Sequence, residues 1–182
     1  STLPISLTNF SADVKDYGIK LNWQTAQEIN NQYFEILKSE KKNEFKSIAQ
    51  VNGAIDSKTL KSYSYTDFNP TVGTNYYQLK QFDTDGKSQF FEPIAVKFGL
   101  VAEEIKLLNS SESSVTVSIS SSEAKKGAIS YVGLDGRLIY QKQVDLNSGL
   151  NTVTIPVNKS TGLIGIINLS LNGMQKSLKI AR

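Results

Sequence analysis

LIGIINLSLNGMQKSLKIAR, residues 163–182, reads as strand, tight turn and strand. Ile167, Leu169 and Leu171 alternate with Asn168 and Ser170, and Met174, Leu178 and Ile180 alternate with Gln175, Ser177 and Lys179. Between them stands Asn172-Gly173, the strongest short hairpin signal, because both central residues of a type I′ turn need positive φ. A two-residue loop pairs Leu171 with Met174 and Ile167 with Leu178, which puts the apolar residues on one face. Lys176, opposite Leu169, breaks the pattern; its stem can lie over that face with the amine in water.

Working back from this hairpin, the second half of the chain repeats the same grammar. Ile105 to Leu108 is a short strand. Val115, Val117 and Ile119 alternate with Thr116, Ser118 and Ser120, a half-exposed strand whose wet face is hydroxylic. Ala128 to Leu134, Asp135-Gly136 and Arg137 to Val144 read as a hairpin with a two-residue turn. Asn147-Ser148-Gly149 turns into Val153, Ile155 and Val157. About seven short strands at this spacing, joined by polar turns, predict an Ig-like sandwich.

The first half is also strand-rich. An opening strand changes phase near Asn9, as a bulge would give. Ile19, Leu21 and Trp23 share one face of the next strand, which makes the single Trp a core residue rather than a sugar-stacking platform. Thr25-Ala26-Gln27-Glu28 fits a helical capping box, so one helical turn or loop is expected over 25–31, followed by a strand from Gln32 to Ser39. Further strands are expected at Phe45 to Val51, from Tyr63, at Asn75 to Phe82 and at Ser88 to Phe98. Gly53 to Leu60 reads as an exposed loop. Pro93 lacks a donor, so its strand is an edge or is bulged there. Phe98 to Glu104 breaks the periodicity. The expected organisation is therefore a domain at 1–98, a linker at 99–104 and a domain at 105–182.

Composition narrows the function. With 39% apolar residues spread along 182, a packed core is expected. No apolar run approaches the ~18 residues of a membrane helix. Cys and His are both absent, which removes thiolate chemistry, the commonest general base and the commonest metal ligand. Residues 1–99 are net neutral and residues 100–182 carry the whole +3, with two Arg and no basic cluster, which argues against nucleic acid. No signal peptide opens the sequence, as expected of an intracellular protein or a piece of a longer one. Asp83-Thr84-Asp85-Gly86 begins like a Ca²⁺ loop but lacks the third acidic position and the distal Glu, so it reads as a hairpin turn. The acidic residues fall in turns and on polar faces rather than as a cleft pair, and phosphate and nucleophile motifs are missing. No enzyme activity, cofactor or metal is expected. Tyr17, Phe90 and Phe91 read as singly scattered surface aromatics.

LNWQTAQEINNQYFEILKS, YSYTDFNP and GTNYYQLKQFDTDGK resemble a fibronectin type III-like module over residues 3–98. The resemblance puts Trp23 on the second strand and either Tyr76 or Tyr77 at a tyrosine corner. AISYVGLDGRLIYQKQVDLNSGLNTVTIPV, an apolar strand and LNGMQKSLKIAR resemble the C-terminal sorting domain of the type IX secretion system of Bacteroidetes-type bacteria. Asp135-Gly136, Gly149-Leu150-Asn151, Asn172-Gly173 and Lys176 to Ile180, including Lys179, occupy the motif positions. A Pro-Asn-Pro opening and a Gly-x-Tyr element of that family are not present. Together the resemblances imply an all-β chain of two tandem Ig-like, fibronectin III-like sandwiches of about seven strands each. They imply a monomeric, non-catalytic spacer-plus-sorting tail of a larger exported protein. Its partner would be the outer-membrane secretion machinery, and its place the cell surface or medium, reached through the periplasm. The alternative is a module that binds a surface glycan or protein.

Overall fold

The computed structural model describes residues 6–99, 102–158 and 164–181, and every regular element among them is a strand. The chain divides into two compact units, Ser1–Asp67 with Gly73–Phe98, and Phe68–Val72 with Gly99–Arg182.

In the first unit, β1 (Leu7–Lys15), β2 (Gly18–Thr25) and β5 (Lys61–Asp67) form one antiparallel sheet in the order β1-β2-β5. The facing sheet holds β3 (Glu28–Ser39), β4 (Lys46–Ser57), β6 (Gly73–Asp83), β7 (Ser88–Phe90) and β8 (Ile94–Phe98), ordered β4-β3-β6 with β7 and β8 both on β6. This is a fibronectin III-like sandwich whose last strand is split. The split falls across Phe91–Pro93, where proline has no N–H to give the ladder. The bulge near Asn9 is present, between Leu7 and Asn9. Period-two alternation sends Ile19, Leu21 and Trp23 of β2, Phe34 and Ile36 of β3, and Tyr77 and Leu79 of β6 inward, all fully buried.

Two local expectations are overturned here. Residues 25–31 contain no helical turn: Thr25 and Glu28 do hydrogen-bond (2.6 Å), but across a tight β2–β3 connection. Glu28 points inward and gathers donors from four strands, β2, β3, β4 and β5, and the register of β3 shifts beside it, with Asn30 left-handed at φ 58°. Residues 53–57 are not a loop either, because β4 continues to Ser57 along β3, and of the expected loop only the exposed residues 58–60 lie outside a strand. Ala54 N–H donates to Glu28 Oε2 (2.9 Å) and Asn30 N–H to Asp56 Oδ1 (3.0 Å), so this backbone is fastened rather than free.

In the second unit, β9 (Ile105–Ser110), β10 (Ser114–Ser121) and β13 (Gly149–Pro156) are ordered β13-β10-β9. The other sheet is β12-β11-β14-β15, from β11 (Lys125–Gly133), β12 (Leu138–Leu146), β14 (Ile164–Leu171) and β15 (Met174–Ala181). Seven antiparallel strands thus repeat the plan of the first unit without the split. The core is aliphatic around Tyr131: Val115, Val117, Ile119, Ile129, Ile155, Ile167 and Leu169. Strand β10 is less exposed than its Ser and Thr content suggests, with Ser118, Ser120 and Ser121 all buried. The cause is central placement in its sheet and a use for the hydroxyls. Ser120 Oγ donates to Ala102 O and accepts from Glu104 N–H (2.8 Å). Residues 102–104, which the sequence places in a linker, are thereby tied to β10.

Candidate functional site

The first unit supplies structure rather than an open site. Trp23 stacks on Tyr63 (5.6 Å between centroids, 18°) and meets Phe34 edge-on (5.6 Å, 70°), fully buried. Of the two corner candidates, Tyr77 is the buried one and Tyr76 is half-buried on the opposite face. Tyr77 Oη donates to Asp67 Oδ2 (2.7 Å), a carboxylate at the end of β5, and Lys38 Nζ lies 2.6 Å from the same oxygen. Burial, followed by the Asp67 charge, pushes the Tyr77 hydroxyl well above the ordinary tyrosine range, so it stays a donor. Glu28 accepts from Thr25 Oγ1, Tyr63 Oη (2.6 Å), Asn31 Nδ2 (2.8 Å) and Ala54 N–H. Both are buried knots in which the acceptors are filled by the protein itself.

Of the surface aromatics, Phe90 is not a single scattered residue. Tyr33 and Phe82 stack at 4.8 Å on the outer face of β3 and β6, and Lys80 Nζ sits 4.5 Å from the Phe82 ring and 4.8 Å from that of Phe90. Sequence reading missed this cluster because Tyr33 and Phe82 are joined only by the β3–β6 register. Asp83 and Asp85 do serve a hairpin. Asp83 N–H donates to Lys87 O (2.8 Å), Gly86 takes φ 85°, and Asp85 pairs with Lys87 (2.5 Å).

In the second unit the closing hairpin has the register read from the sequence, Leu171 opposite Met174, Ile167 opposite Leu178 and Leu169 opposite Lys176. Asn172 (φ 45°) and Gly173 (φ 89°) make the turn. The face is only partly covered on β15: Ile180 is buried, Leu178 half-buried, and Met174 and Lys176 exposed. Lys179 is exposed on the opposite face. The Asp135-Gly136 turn is not a two-residue loop. Gly133 N–H donates to Arg137 O (3.0 Å) and Gly136 N–H to Gly133 O (3.0 Å), with Gly136 at φ 79°; this is a three-residue loop whose third residue is left-handed. Asp135 Oδ1 accepts from Arg137 N–H (3.1 Å), which holds the loop.

The motif residues do not converge on one spot. Along β11 the Asp135-Gly136 end pairs Gly133 with Gly165, and the Asn172-Gly173 end pairs Gly127 with Leu171. Six residues of strand separate those pairs, about 20 Å. Gly149 (φ 109°) opens β13 opposite Ser121, at the Asn172-Gly173 end of the sandwich. Near that end lies a half-buried ion pair: Lys125 Nζ meets Glu103 Oε1, and Ser122 Oγ donates to the same oxygen (3.3 Å). The bond from Lys125 holds the Glu103 carboxyl below its ordinary range against the effect of burial, with Lys176 adding to it. Among the described residues, no three His, Cys, Asp or Glu side chains are grouped to hold a metal ion, and no helix is long and apolar enough to cross a membrane. The candidate site is the surface of the four-stranded sheet of the second unit with its edge strand β15, on which Lys176 and Lys179 are exposed.

No family model and no curated protein matches the chain. Among solved structures it is similar to dimeric latent PorU from Porphyromonas gingivalis (TM-score 0.37, 10% identity), over 99% of this chain and 20% of that one. It is also similar to the FN1–FN3 domains of chicken CNTN1 (TM-score 0.37, 10% identity), over 98% of this chain and 66% of that one. The chain thus spans a fifth of the PorU chain and just under two thirds of the CNTN1 chain.

Proposed function

We propose that the chain is a non-catalytic tail of a larger exported bacterial protein. The fibronectin III-like unit is a spacer, and the second unit is a sorting module read at its surface by the outer-membrane type IX secretion machinery. The observation that carries this reading is strand β15. It is an edge strand of eight residues in unbroken register with β14, with Lys176 and Lys179 exposed on it. Edge strands are usually shortened, bulged, interrupted by proline or set with lysines; the split β7 and β8 of the first unit take the first course, and β15 keeps its length and carries lysines. An unbroken edge suits a strand that is meant to be recognised. The test is a secreted reporter fused ahead of residues 1–182 in a type IX-competent host and in a strain lacking the translocon. Protease-accessible reporter on the first strain only is the expected result; periplasmic retention in both refutes the reading.

A second reading rests on the Tyr33, Phe82 and Phe90 cluster. Aromatic faces beside polar side chains bind sugars, so the first unit would be a glycan-binding module. Saturable binding on a glycan array that Phe90→Ala abolishes supports it, and no binding by the intact chain counts against it.

A further inference from the structure

We propose that the outer face of the β12-β11-β14-β15 sheet docks a protein partner that offers an apolar cleft with an acidic rim. The proposal rests on the sorting reading and assigns its contact surface. The outer layer of a two-sheet sandwich faces water, where polar residues are the rule. Here one cross-strand row breaks that rule. Leu138 pairs with Val132 across a register shift in β12, Val132 with Ile166, and Ile166 with Lys179, so the row runs across all four strands. Leu138 is 55% exposed and Ile166 37%. Ile164, two residues along the same face, is 37% exposed, and Leu134 at the tip of the β11–β12 hairpin is 65% exposed. The patch has a sharp limit. The next row on that face is Ser130, Asn168 and Ser177, and Ser177 Oγ donates to Asn168 Oδ1 (2.7 Å).

Charge selects the occupant. Exposed cations flank the row, Arg137 beside Leu138 at one side and Lys179 at the other, and neither is held in an ion pair among the described residues. The only carboxylate in the adjoining turn, Asp135, has an oxygen occupied by the Arg137 backbone N–H. A second copy of the chain would bring its own cations against these, which disfavours self-association. A lipid surface is disfavoured too. Membrane-interface anchors are rich in Trp and Tyr, whereas this row is aliphatic on a rigid sheet and carries two cations rather than a basic cluster. A protein with aliphatic pockets and carboxylates at their rim satisfies both features.

The experiment uses the full chain behind the secreted reporter. Leu138→Ser with Ile166→Thr removes the row, Arg137→Glu with Lys179→Glu reverses the flanks, and Lys42→Glu with Lys58→Glu, the same change of charge at exposed positions of the first unit, is the control. The expected result is a tenfold or greater fall in surface reporter for the first two and none for the control, with melting temperatures unchanged. Should the apolar double variant misfold, the charge-reversed variant decides alone. Wild-type delivery with both variants delivered equally well overturns the docking surface and leaves the sorting reading standing. No delivery of the wild type ends both. Sedimentation of the purified chain and its binding to phosphatidylglycerol-containing vesicles cover the other occupants. A dimer lost in Leu138→Ser, or vesicle binding lost on charge reversal, overturns the proposal.

Discussion

Replacing Glu28 tests whether a buried carboxylate organises the first unit. It is 1% exposed and accepts four hydrogen bonds, two on each oxygen. Glu28→Ala leaves the Ala54 N–H and the Asn31 amide without an acceptor, at about 1–3 kcal/mol each. It also leaves two hydroxyls to re-aim. A loss of about 4 kcal/mol is expected, a large share of the ~5–15 kcal/mol that holds a domain. Glu28→Gln has a different outcome. Its amide oxygen serves Asn31 and Ala54, and its NH₂ donates to the Thr25 and Tyr63 hydroxyl oxygens, which accept as readily as they donate. Only the charge assistance goes, about 1–2 kcal/mol.

The same site fixes a pH dependence. Burial raises the Glu28 pKa, but the bonds from Thr25, Tyr63, Ala54 and Asn31 together outweigh it, and the net shift is downward. A carboxyl with a depressed folded pKa stabilises fully above its unfolded value of about 4.3, and that stabilisation is lost as pH falls through the folded value. The gap between wild type and Glu28→Gln therefore narrows in acid. Urea unfolding followed by Trp23 fluorescence at pH 7 and pH 3 reads both effects, because the only Trp lies in this unit and stacks on Tyr63. Equal losses for the Ala and Gln variants, or a gap that does not change with pH, would refute the reasoning.

Three other perturbations follow from particular contacts. Tyr77→Phe removes a charge-assisted bond to Asp67, whose ion pair with Lys38 remains, so Trp23-monitored stability should fall by about 1.5–3 kcal/mol; an unchanged urea midpoint counts against the corner. Ile55, 44% exposed at φ 64°, is a β-branched residue in a left-handed conformation, and Ile55→Asn should raise stability by about 1 kcal/mol, checked by the same urea titration. Gly165 is buried against the Tyr131 ring, where a Cβ has no room, so Gly165→Ala should destabilise the second unit by about 1–3 kcal/mol in a thermal melt followed by far-UV circular dichroism.

What was legible in the sequence is what depends on nearest neighbours in a period of two. Ile19-x-Leu21-x-Trp23 and Ile167-x-Leu169-x-Leu171 name their inward faces directly, and Asn172-Gly173 names its turn and hence its register. What was missed depends on partners distant in the chain. Thr25-x-x-Glu28 looks like a capping box because the same chemistry, side-chain oxygens satisfying local donors, serves a helix start or a strand connection; Ala54 and Tyr63 decide between them. The Ser-rich β10 looked half-wet because a hydroxyl signals surface only until a neighbour such as Ala102 or Glu104 binds it. The Asp-Gly turn of β11 and β12 looked like a two-residue loop, but its left-handed Gly136 is the third residue of the loop.

The surface proposed as the site was half legible for the same reason. Ile164, Ile166 and Ile167 make β14 apolar on both faces, and the sequence carries that signal openly. It takes the β11 and β15 registers to turn those residues into a row bounded by Lys179, with a polar row directly beside it. A sandwich needs one apolar face per sheet for its core, and here the core is already filled by Ile167, Leu169 and Leu171. The outward Ile164 and Ile166 lie outside that inner face, each 37% exposed. Aliphatic area on a water-facing sheet weakens solubility. Its presence beside an unbroken edge strand is best explained by a partner that covers it.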